Sequence, residues 1–231
     1  VGVGAAALTI VVDRIDDAPA AQACTSAAND CSLRGAILKA NGDPTNYYTI
    51  TFTGDNVYYL SSDNETPDTP TIRDLDIMVP LTIDGEGPNN TAVSGNDQYR
   101  VFHIHSGAMV ILKDLRITGG RDEDGVGGAG ILNEGSFLAV RNAEIYDNLS
   151  ELAGGGIAHY GPYLIVEDSD LYQNDSVDGA IEVNNSTECG GAIYQQGTGT
   201  LVVTRSFFDT NSAQWGGGGI CQLGGELVVR D

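Results

Sequence analysis

The sequence predicts an all-β protein, a parallel β-helix in which each coil contributes three short strands. A tetrad of small residues closed by isoleucine recurs four times, and its isoleucines lie 26, 36 and 27 residues apart. The tetrads begin at Gly128, Gly154, Gly190 and Gly217. An apolar-x-x-Asn unit stands before each of the later tetrads and ends in Asn148, Asn174 and Asn211. A repeat of this length is typical of a solenoid, in which each repeat stacks on its neighbours.

Three columns of apolar residues support this prediction, because their members recur once per coil. The columns are Leu112, Val140, Val166, Val203 and Val229; Ile117, Ile145, Leu171 and Phe208; and Ile104, Ile131, Ile157, Ile193 and Ile220. Apolar side chains stacked coil on coil form the interior of a parallel β-helix. The longest step contains about ten extra residues within 175–189, which we expect to project as a loop on the functional face.

The N-terminal region is predicted to close one end of the stack. Residues 1–7 are small and apolar, as in the remnant of a signal peptide or an N-terminal extension. The segment 8–48 is predicted to hold a first strand and one short capping helix, which Ser32 can start and Asn41-Gly42 can end. Such a helix would cover the first coil, whose backbone groups are otherwise unpaired.

The β-helix itself is predicted to span 49–231 and to be incomplete at its C-terminus. Residues 228–231 read Val-Val-Arg-Asp and resemble 139–142, which lie in the middle of an earlier coil. An open coil end is an adhesive edge. Stacking of one subunit on another through such ends would give a homo-oligomer or a filament.

The repeated residues are interpreted as the corners of the coils. Glycine adopts backbone conformations closed to other residues and lets neighbouring coils approach closely. We expect the asparagine of the apolar-x-x-Asn unit to adopt left-handed geometry, and stacked asparagines to hydrogen-bond the same corner in successive coils.

Composition limits the classes of partner and compartment. The formal charge is −21 with only 11 Lys and Arg, which argues against a nucleic-acid partner, because phosphate binding needs clustered basic residues. No apolar run reaches the roughly 18 residues needed for a transmembrane segment. Cys24 and Cys31 lie close enough in sequence to predict a disulfide in a secreted protein, whereas the pairing of Cys189 and Cys221 is left open.

Two family resemblances follow from these motifs. Residues 31–37, Cys-Ser-Leu-Arg-Gly-Ala-Ile, resemble the CSLREA motif of secreted bacterial and archaeal right-handed β-helix proteins, although Gly35 stands where that motif has Glu. The Gly-Gly-Ala-Ile tetrad at Gly190 and the unit Phe208 to Asn211 resemble the GGAI and FxxN repeats of chlamydial polymorphic outer-membrane proteins. The resemblance implies a right-handed β-helix, export to the cell surface and a role in adhesion.

Enzymatic chemistry has less support in the sequence. Pectin-active β-helix enzymes need several carboxylates on one face and a basic residue that holds the uronate. The polygalacturonase pattern of N-T-D, D-D, G-H-G and R-I-K does not occur in this sequence, and no catalytic residue is assigned. A groove lined by three or more carboxylates and an arginine would favour an enzyme.

Two groups of residues are candidate ion sites. The acidic run Asp122, Glu123 and Asp124 could supply carboxylates to a calcium ion, but a solvated loop is the favoured interpretation, and no cofactor is predicted to be required. His103 and His105 lie two apart on a predicted strand and so point to the same face, where they could hold a metal. Without a third ligand in the sequence nearby, an exposed polar face is favoured there.

Aromatic residues in the repeats form a candidate contact surface. Tyr146 and Tyr172 align one coil apart beside core residues, and Tyr194 and Trp215 lie in later coils. Outward aromatic residues could contact a carbohydrate or a host-cell or other surface ligand.

The first hypothesis is therefore an extracellular structural or adhesive surface protein, with a self-assembling filament subunit as one form of it, and the sequence favours a protein that is not an enzyme. The alternatives are a polysaccharide lyase or glycoside hydrolase of the β-helix type, or a calcium-stabilised carbohydrate-binding module.

Overall fold

The protein was analysed as a computed structural model, which describes residues 8–61, 74–122, 125–177 and 189–231. These residues form 23 strands and one helix. Every pair of neighbouring strands is parallel. The prediction of an all-β protein with parallel strands is confirmed. The predicted N-terminal extension 1–7 and most of the predicted insertion, 178–188, lie outside the described residues.

Four sheets contain all of these strands. Sheet one has the order β1 (Leu8–Val12), β2 (Tyr48–Phe52), β5 (Leu81–Asp84), β8 (Met109–Lys113), β11 (Phe137–Arg141), β15 (Tyr163–Glu167), β19 (Thr200–Thr204) and β23 (Glu226–Arg230). Sheet two has the order β4 (Leu75–Ile77), β7 (Phe102–Ile104), β10 (Ile131–Asn133), β14 (Ile157–His159), β18 (Ile193–Gln195) and β22 (Ile220–Gln222). Sheet three has the order β3 (Asn56–Tyr59), β6 (Thr91–Ser94), β9 (Arg116–Thr118), β12 (Glu144–Tyr146), β16 (Asp170–Tyr172) and β20 (Phe207–Asp209). A short fourth sheet contains β13 (Leu149–Ser150), β17 (Asp175–Ser176) and β21 (Ser212–Ala213).

The chain passes through the sheets in a fixed cycle. From β4 onward it enters sheet two, then sheet one, then sheet three, and returns to sheet two beside the strand that it left; from β13 onward it also passes through the fourth sheet after sheet three. One such cycle is called a coil here. Each strand therefore pairs with its equivalent in the coils before and after, and the same side chains meet repeatedly along the stack.

The core lies inside the coils and consists of the predicted columns. Leu112, Val140, Val166 and Val203 pair in register and are at most 3% exposed, whereas Val229 in the last coil is 64% exposed. The third predicted column is wrong at the step from Ile104 to Ile131, where the observed pairing is shifted by two residues. Ile131 pairs with Phe102, and Ile104 pairs with Asn133. A slip of two residues keeps each side chain on the same face of the strand, so the alternation of the sequence does not detect it.

Helix α1 (Leu33–Asn41) occupies the predicted position and packs against β1, β2 and β4. The Ser32 hydroxyl accepts a hydrogen bond from the Gly35 backbone N–H at 2.9 Å, as expected of an N-cap. A side chain at Gly35 would overlap the carbonyl oxygen of Ala21, so the backbone packing at this position requires glycine. Arg34 is buried and donates to both carboxylate oxygens of Asp17.

Three asparagines form a hydrogen-bonded ladder beside sheet three. Asn148 donates to Asn174, and Asn174 donates to Asn211, each over 2.9 Å from Nδ2 to Oδ1. Their amides also donate to backbone carbonyls of the preceding coil, as Asn174 does to Ile145 at 2.8 Å. The predicted hydrogen bonding is confirmed, but the predicted left-handed geometry belongs to the residue before each asparagine. Those residues are Asp147, Gln173 and Thr210, with φ between 50° and 56°.

Both pairs of cysteines form disulfides. Cys24 bonds to Cys31, as predicted, with their Cα atoms 4.4 Å apart. Cys189 bonds to Cys221, with a Cα separation of 5.6 Å, which resolves the pairing that the sequence leaves open. The second bond joins neighbouring coils, because it links the chain just before β18 to β22 itself.

Candidate functional site

The outer face of sheet two carries polar side chains on its first strands and mostly apolar side chains on its later strands. Its outward column begins with Asp76 and His103, which are direct register partners on β4 and β7. It continues through Leu132, Ala158 and Tyr194 on the following strands. The later residues are buried in a second apolar cluster, whereas Asp76 and His103 carry polar side chains. The second apolar cluster consists of Leu132, Ala153, Ala158, Cys189 and Tyr194.

Asp76, His103 and His105 form the Asp–His cluster, whose candidate ligand atoms all lie within 4.8 Å of one another. Asp76 Oδ1 lies 2.5 Å from His105 Nε2 and 3.4 Å from His103 Nδ1. The two imidazole rings are 3.8 Å apart between centroids. Glu134, which follows β10, places Oε2 at 3.1 Å from His103 Nε2. Two imidazoles and a carboxylate at these distances could hold a transition-metal ion.

The cluster is only partly open to solvent. Asp76 is 5% exposed, and its Oδ2 is buried without a hydrogen-bond partner among the described residues. The side chains of His103 and His105 are 18% and 29% exposed, so solvent reaches the cluster from the histidine side.

Neighbouring charges influence the cluster. Asp74 binds Arg100 at 3.1 Å, and burial together with the charge of Asp76 raises the pKa of Asp74. For His103, burial lowers the pKa, but the hydrogen bonds to Asp76 and Glu134 and the charge of Asp74 outweigh it, so the net pKa is raised. Carboxylates therefore surround the histidines and favour a cationic occupant, either a proton or a metal ion.

Sequence reasoning found part of this cluster. The rings of His103 and His105 do contact each other. The third candidate ligand was missed, because Asp76 belongs to the preceding coil and lies 27 residues earlier in the sequence. The coil period is the signal that could have found Asp76, because the residue one coil before His103 in the sequence lies beside it when coils stack in register.

The predicted calcium loop is described only in part, because Glu123 and Asp124 lie outside the described residues. Asp122 is 1% exposed, and its carboxylate accepts hydrogen bonds from the backbone N–H groups of Gly127 and Glu151 at 2.6 and 2.8 Å. This carboxylate therefore holds the loop to the next coil. Calcium binding at the run stays a prediction.

The residues of the predicted aromatic surface lie in different environments. Tyr146 and Tyr172 stack with their ring centroids 4.8 Å apart and their planes within 5°. Their ring faces therefore contact each other across two coils. Trp215 is 59% exposed and available for contact. Tyr194 is 2% exposed, and its inclusion is wrong, because the second apolar cluster covers that face of sheet two.

A groove of about 210 Å³ runs beside the asparagine ladder. Its lining is Asp97, Gly120, Arg121, Asp147, Asn148, Leu149, Gln173 and Asp175. The groove thus contains the three carboxylates and the arginine that would favour an enzyme. Two of these groups have partners within the stack, because Arg121 pairs with Glu151 at 3.3 Å and Asp175 accepts a hydrogen bond from Ser212 at 2.6 Å.

Comparison with known proteins gives no family assignment: no family model, curated protein or solved structure matches this chain. Among the described residues, no helix is long and apolar enough to cross a membrane.

Proposed function

We propose that the chain is a secreted, right-handed parallel β-helix with a structural and adhesive role at the cell surface. The observation that carries the proposal is that side chains of successive coils cross-link one another. Ion pairs between neighbouring coils join Lys113 to Asp84, Arg116 to Glu144, Arg121 to Glu151, Arg141 to Glu167 and Arg205 to Asp168. Ion pairs of this kind link each coil to the next, as expected of a structural scaffold.

The compartment is supported by the two disulfides. Disulfides persist in oxidising environments and are rare in the cytosol. With its strongly negative charge and disulfide-linked coils, the chain fits a secreted protein.

The adhesive part of the proposal rests on the outer face of sheet three. Phe207 on β20 is 60% exposed although the next residue, Phe208, packs against the core. The Tyr146–Tyr172 pair lies on the same outer face, with Tyr172 hydroxyl 3.4 Å from Glu144. An aromatic surface with nearby hydroxyl and carboxylate groups suits a carbohydrate or a protein surface.

Binding to a glycan array and to intact cells tests the adhesive role. We expect Phe207→Ala to weaken binding by about tenfold, as loss of an aromatic contact does, without lowering the melting temperature. The matched control is Tyr163→Ala, which removes an aromatic side chain that is 55% exposed on sheet one. Equal binding by wild type and both variants would contradict the proposed face.

A polysaccharide-active enzyme is the second candidate, and the groove beside the asparagine ladder favours it. Incubation of the protein with a panel of acidic polysaccharides, followed for reducing ends and unsaturated products, separates the two functions. The scaffold proposal expects no product. Product that disappears in Asp147→Asn would establish the enzyme instead, since asparagine tolerates the left-handed backbone of that position.

Self-assembly through the coil ends stays a prediction of this proposal. Helix α1 packs against β4, so a second copy could stack on that end only by displacing the helix. Electron microscopy of the native protein checks the prediction, because filaments and single particles are distinguished directly. Particles that remain single at high concentration, with and without calcium, would contradict assembly.

A further inference from the structure

We propose that the Asp–His cluster is a zinc site, with Asp76, His103 and His105 as ligands and Glu134 as the group that orients His103. The cluster joins two coils, because Asp76 comes from β4 and the histidines come from β7 and the residue just after it. A bound ion would therefore fasten neighbouring coils close to the helix-covered end of the stack.

The type of ion follows from the ligand atoms. Two imidazole nitrogens and one carboxylate form the three-ligand set of open zinc sites, in which water takes the fourth position. Calcium requires six or more oxygen ligands, which this cluster does not supply. Ligand atoms around a tetrahedral zinc ion lie about 3.3 Å apart for bonds of about 2.0 Å. The separation between Asp76 Oδ1 and His103 Nδ1, 3.4 Å, already has this value. Asp76 Oδ1 and His105 Nε2 are 2.5 Å apart in a direct hydrogen bond, and they would separate by about 0.8 Å to admit the ion.

The unpartnered oxygen of Asp76 is the independent observation that indicates a ligand. A carboxylate oxygen that is buried without a hydrogen-bond partner is unfavourable and uncommon in proteins. Asp76 is 95% buried, and its Oδ2 is such an atom, although Oδ1 of the same carboxylate faces both histidines. Zinc bound through Oδ1 would offset the negative charge of the buried carboxylate that carries this unpartnered oxygen.

Glu134 sets the chemistry of His103. Its carboxylate accepts from Nε2 at 3.1 Å, so the proton of a neutral imidazole stays on Nε2 and the lone pair of Nδ1 is directed at Asp76. A carboxylate behind a metal-binding histidine is a common arrangement that fixes the ring and strengthens the ligand. Exposure of both histidines leaves a route for the ion and a position for water.

Isothermal titration of the metal-free full chain with zinc chloride tests the site. We expect about one zinc ion per chain, and we expect Asp76→Asn, His103→Gln and His105→Gln each to weaken binding by at least tenfold. Glu134→Gln should weaken it by about ten- to a hundredfold, as changes to orienting carboxylates do. His159→Gln is the matched histidine control, because His159 is the third histidine of the chain and lies outside the cluster. Since His159 is buried and bonded to Asn133, the variant is titrated at pH 7 after its circular dichroism spectrum is shown to match that of the wild type. It should retain wild-type affinity.

A second measurement needs no variant. In the wild-type protein, zinc should shift the imidazole nitrogen resonances of His103 and His105 and leave those of His159 unchanged.

Loss of affinity in His159→Gln equal to that in His103→Gln would overturn the proposal. So would a wild-type dissociation constant above about 1 mM, which corresponds to no specific site, or unchanged resonances of His103 and His105. Calcium chloride should produce neither the binding nor the shifts.

Discussion

At the scale of single residues, His159 is a buried group whose protonation affects the stability of the fold. Its side chain is fully buried, and Asn133 Nδ2 lies 2.8 Å from its Nδ1. The amide of Asn133 donates to this nitrogen, so the proton of the neutral ring is on Nε2. Burial lowers the pKa of His159 to about 4. The folded protein therefore holds this histidine neutral through the range in which an exposed histidine becomes charged.

Acid should destabilise the protein through His159. The unfolded chain binds this proton near pH 6.5 and the folded chain near pH 4, so the stabilising contribution is complete above pH 6.5 and is lost as pH falls toward 4. We expect the loss of unfolding free energy between pH 7 and pH 4 to be about 3 kcal/mol smaller in His159→Gln than in wild type. Urea unfolding at both pH values measures it. The same loss in both proteins would be evidence against this assignment.

At the scale of elements, the asparagine ladder holds sheet three and the short fourth sheet in register. Asn174 is the central member, since it donates to Asn211 and to two backbone carbonyls and accepts from Asn148. Asn211 stands at the end and is only half-buried. The members of one repeated motif should therefore differ in their contribution to stability.

Removal of the central asparagine should cost more than removal of the last one. Asn174→Ala leaves several buried groups without partners, and we expect a loss of about 2–4 kcal/mol of unfolding free energy, against about 1 kcal/mol for Asn211→Ala. Urea unfolding of both variants at pH 7 gives the comparison. Equal losses would indicate that the ladder adds little beyond the packing of each coil.

At the scale of the whole molecule, coils contact only their neighbours, so a covalent link between two coils acts locally. The two disulfides lie toward the opposite ends of the sequence. Cys24–Cys31 closes a short loop with a sequence separation of 7 near α1, whereas Cys189–Cys221 spans 32 residues and joins the last coils.

The longer disulfide should therefore stabilise the protein more. From the entropy of the closed loop, Cys189→Ala with Cys221→Ala should lower the unfolding free energy by about 4 kcal/mol, and the pair Cys24→Ala and Cys31→Ala by about 2 kcal/mol. Denaturant unfolding of the two double variants under identical conditions checks the order. If removal of Cys24–Cys31 costs more, strain in the folded protein or residual structure in the unfolded chain outweighs the entropy of loop closure.

The fold could be predicted largely because its rules are local and repeated. Strand alternation and the coil period identified the inward columns, and the Ser32 cap located α1. The Ile104 register was not predictable, since a shift of two residues preserves alternation. The repeats predict Tyr194 as a contact residue, but a second apolar cluster that the sequence pattern does not reveal covers it.

The candidate site was predictable only within one coil. His103 and His105 are neighbours in sequence, and their shared face follows from strand geometry. Asp76 comes from the coil before, and Glu134 follows a strand of the coil after. Their approach depends on the register between coils, which the sequence alone left uncertain at this step.

The burial of the asparagine ladder also determines where this protein can carry sugar. Asn148-Leu149-Ser150 and Asn174-Asp175-Ser176 are both N-glycosylation sequons, yet the two asparagines are at most 1% exposed and fully hydrogen-bonded. A glycan attached to either side chain during synthesis would take the place of the next coil. Glycosylation there and completion of the stack exclude each other, whereas Asn89, the exposed first residue of the sequon Asn89-Asn90-Thr91, can carry a glycan on the folded protein. A secretory host that glycosylates the chain would thus divide its product between folded and misfolded material.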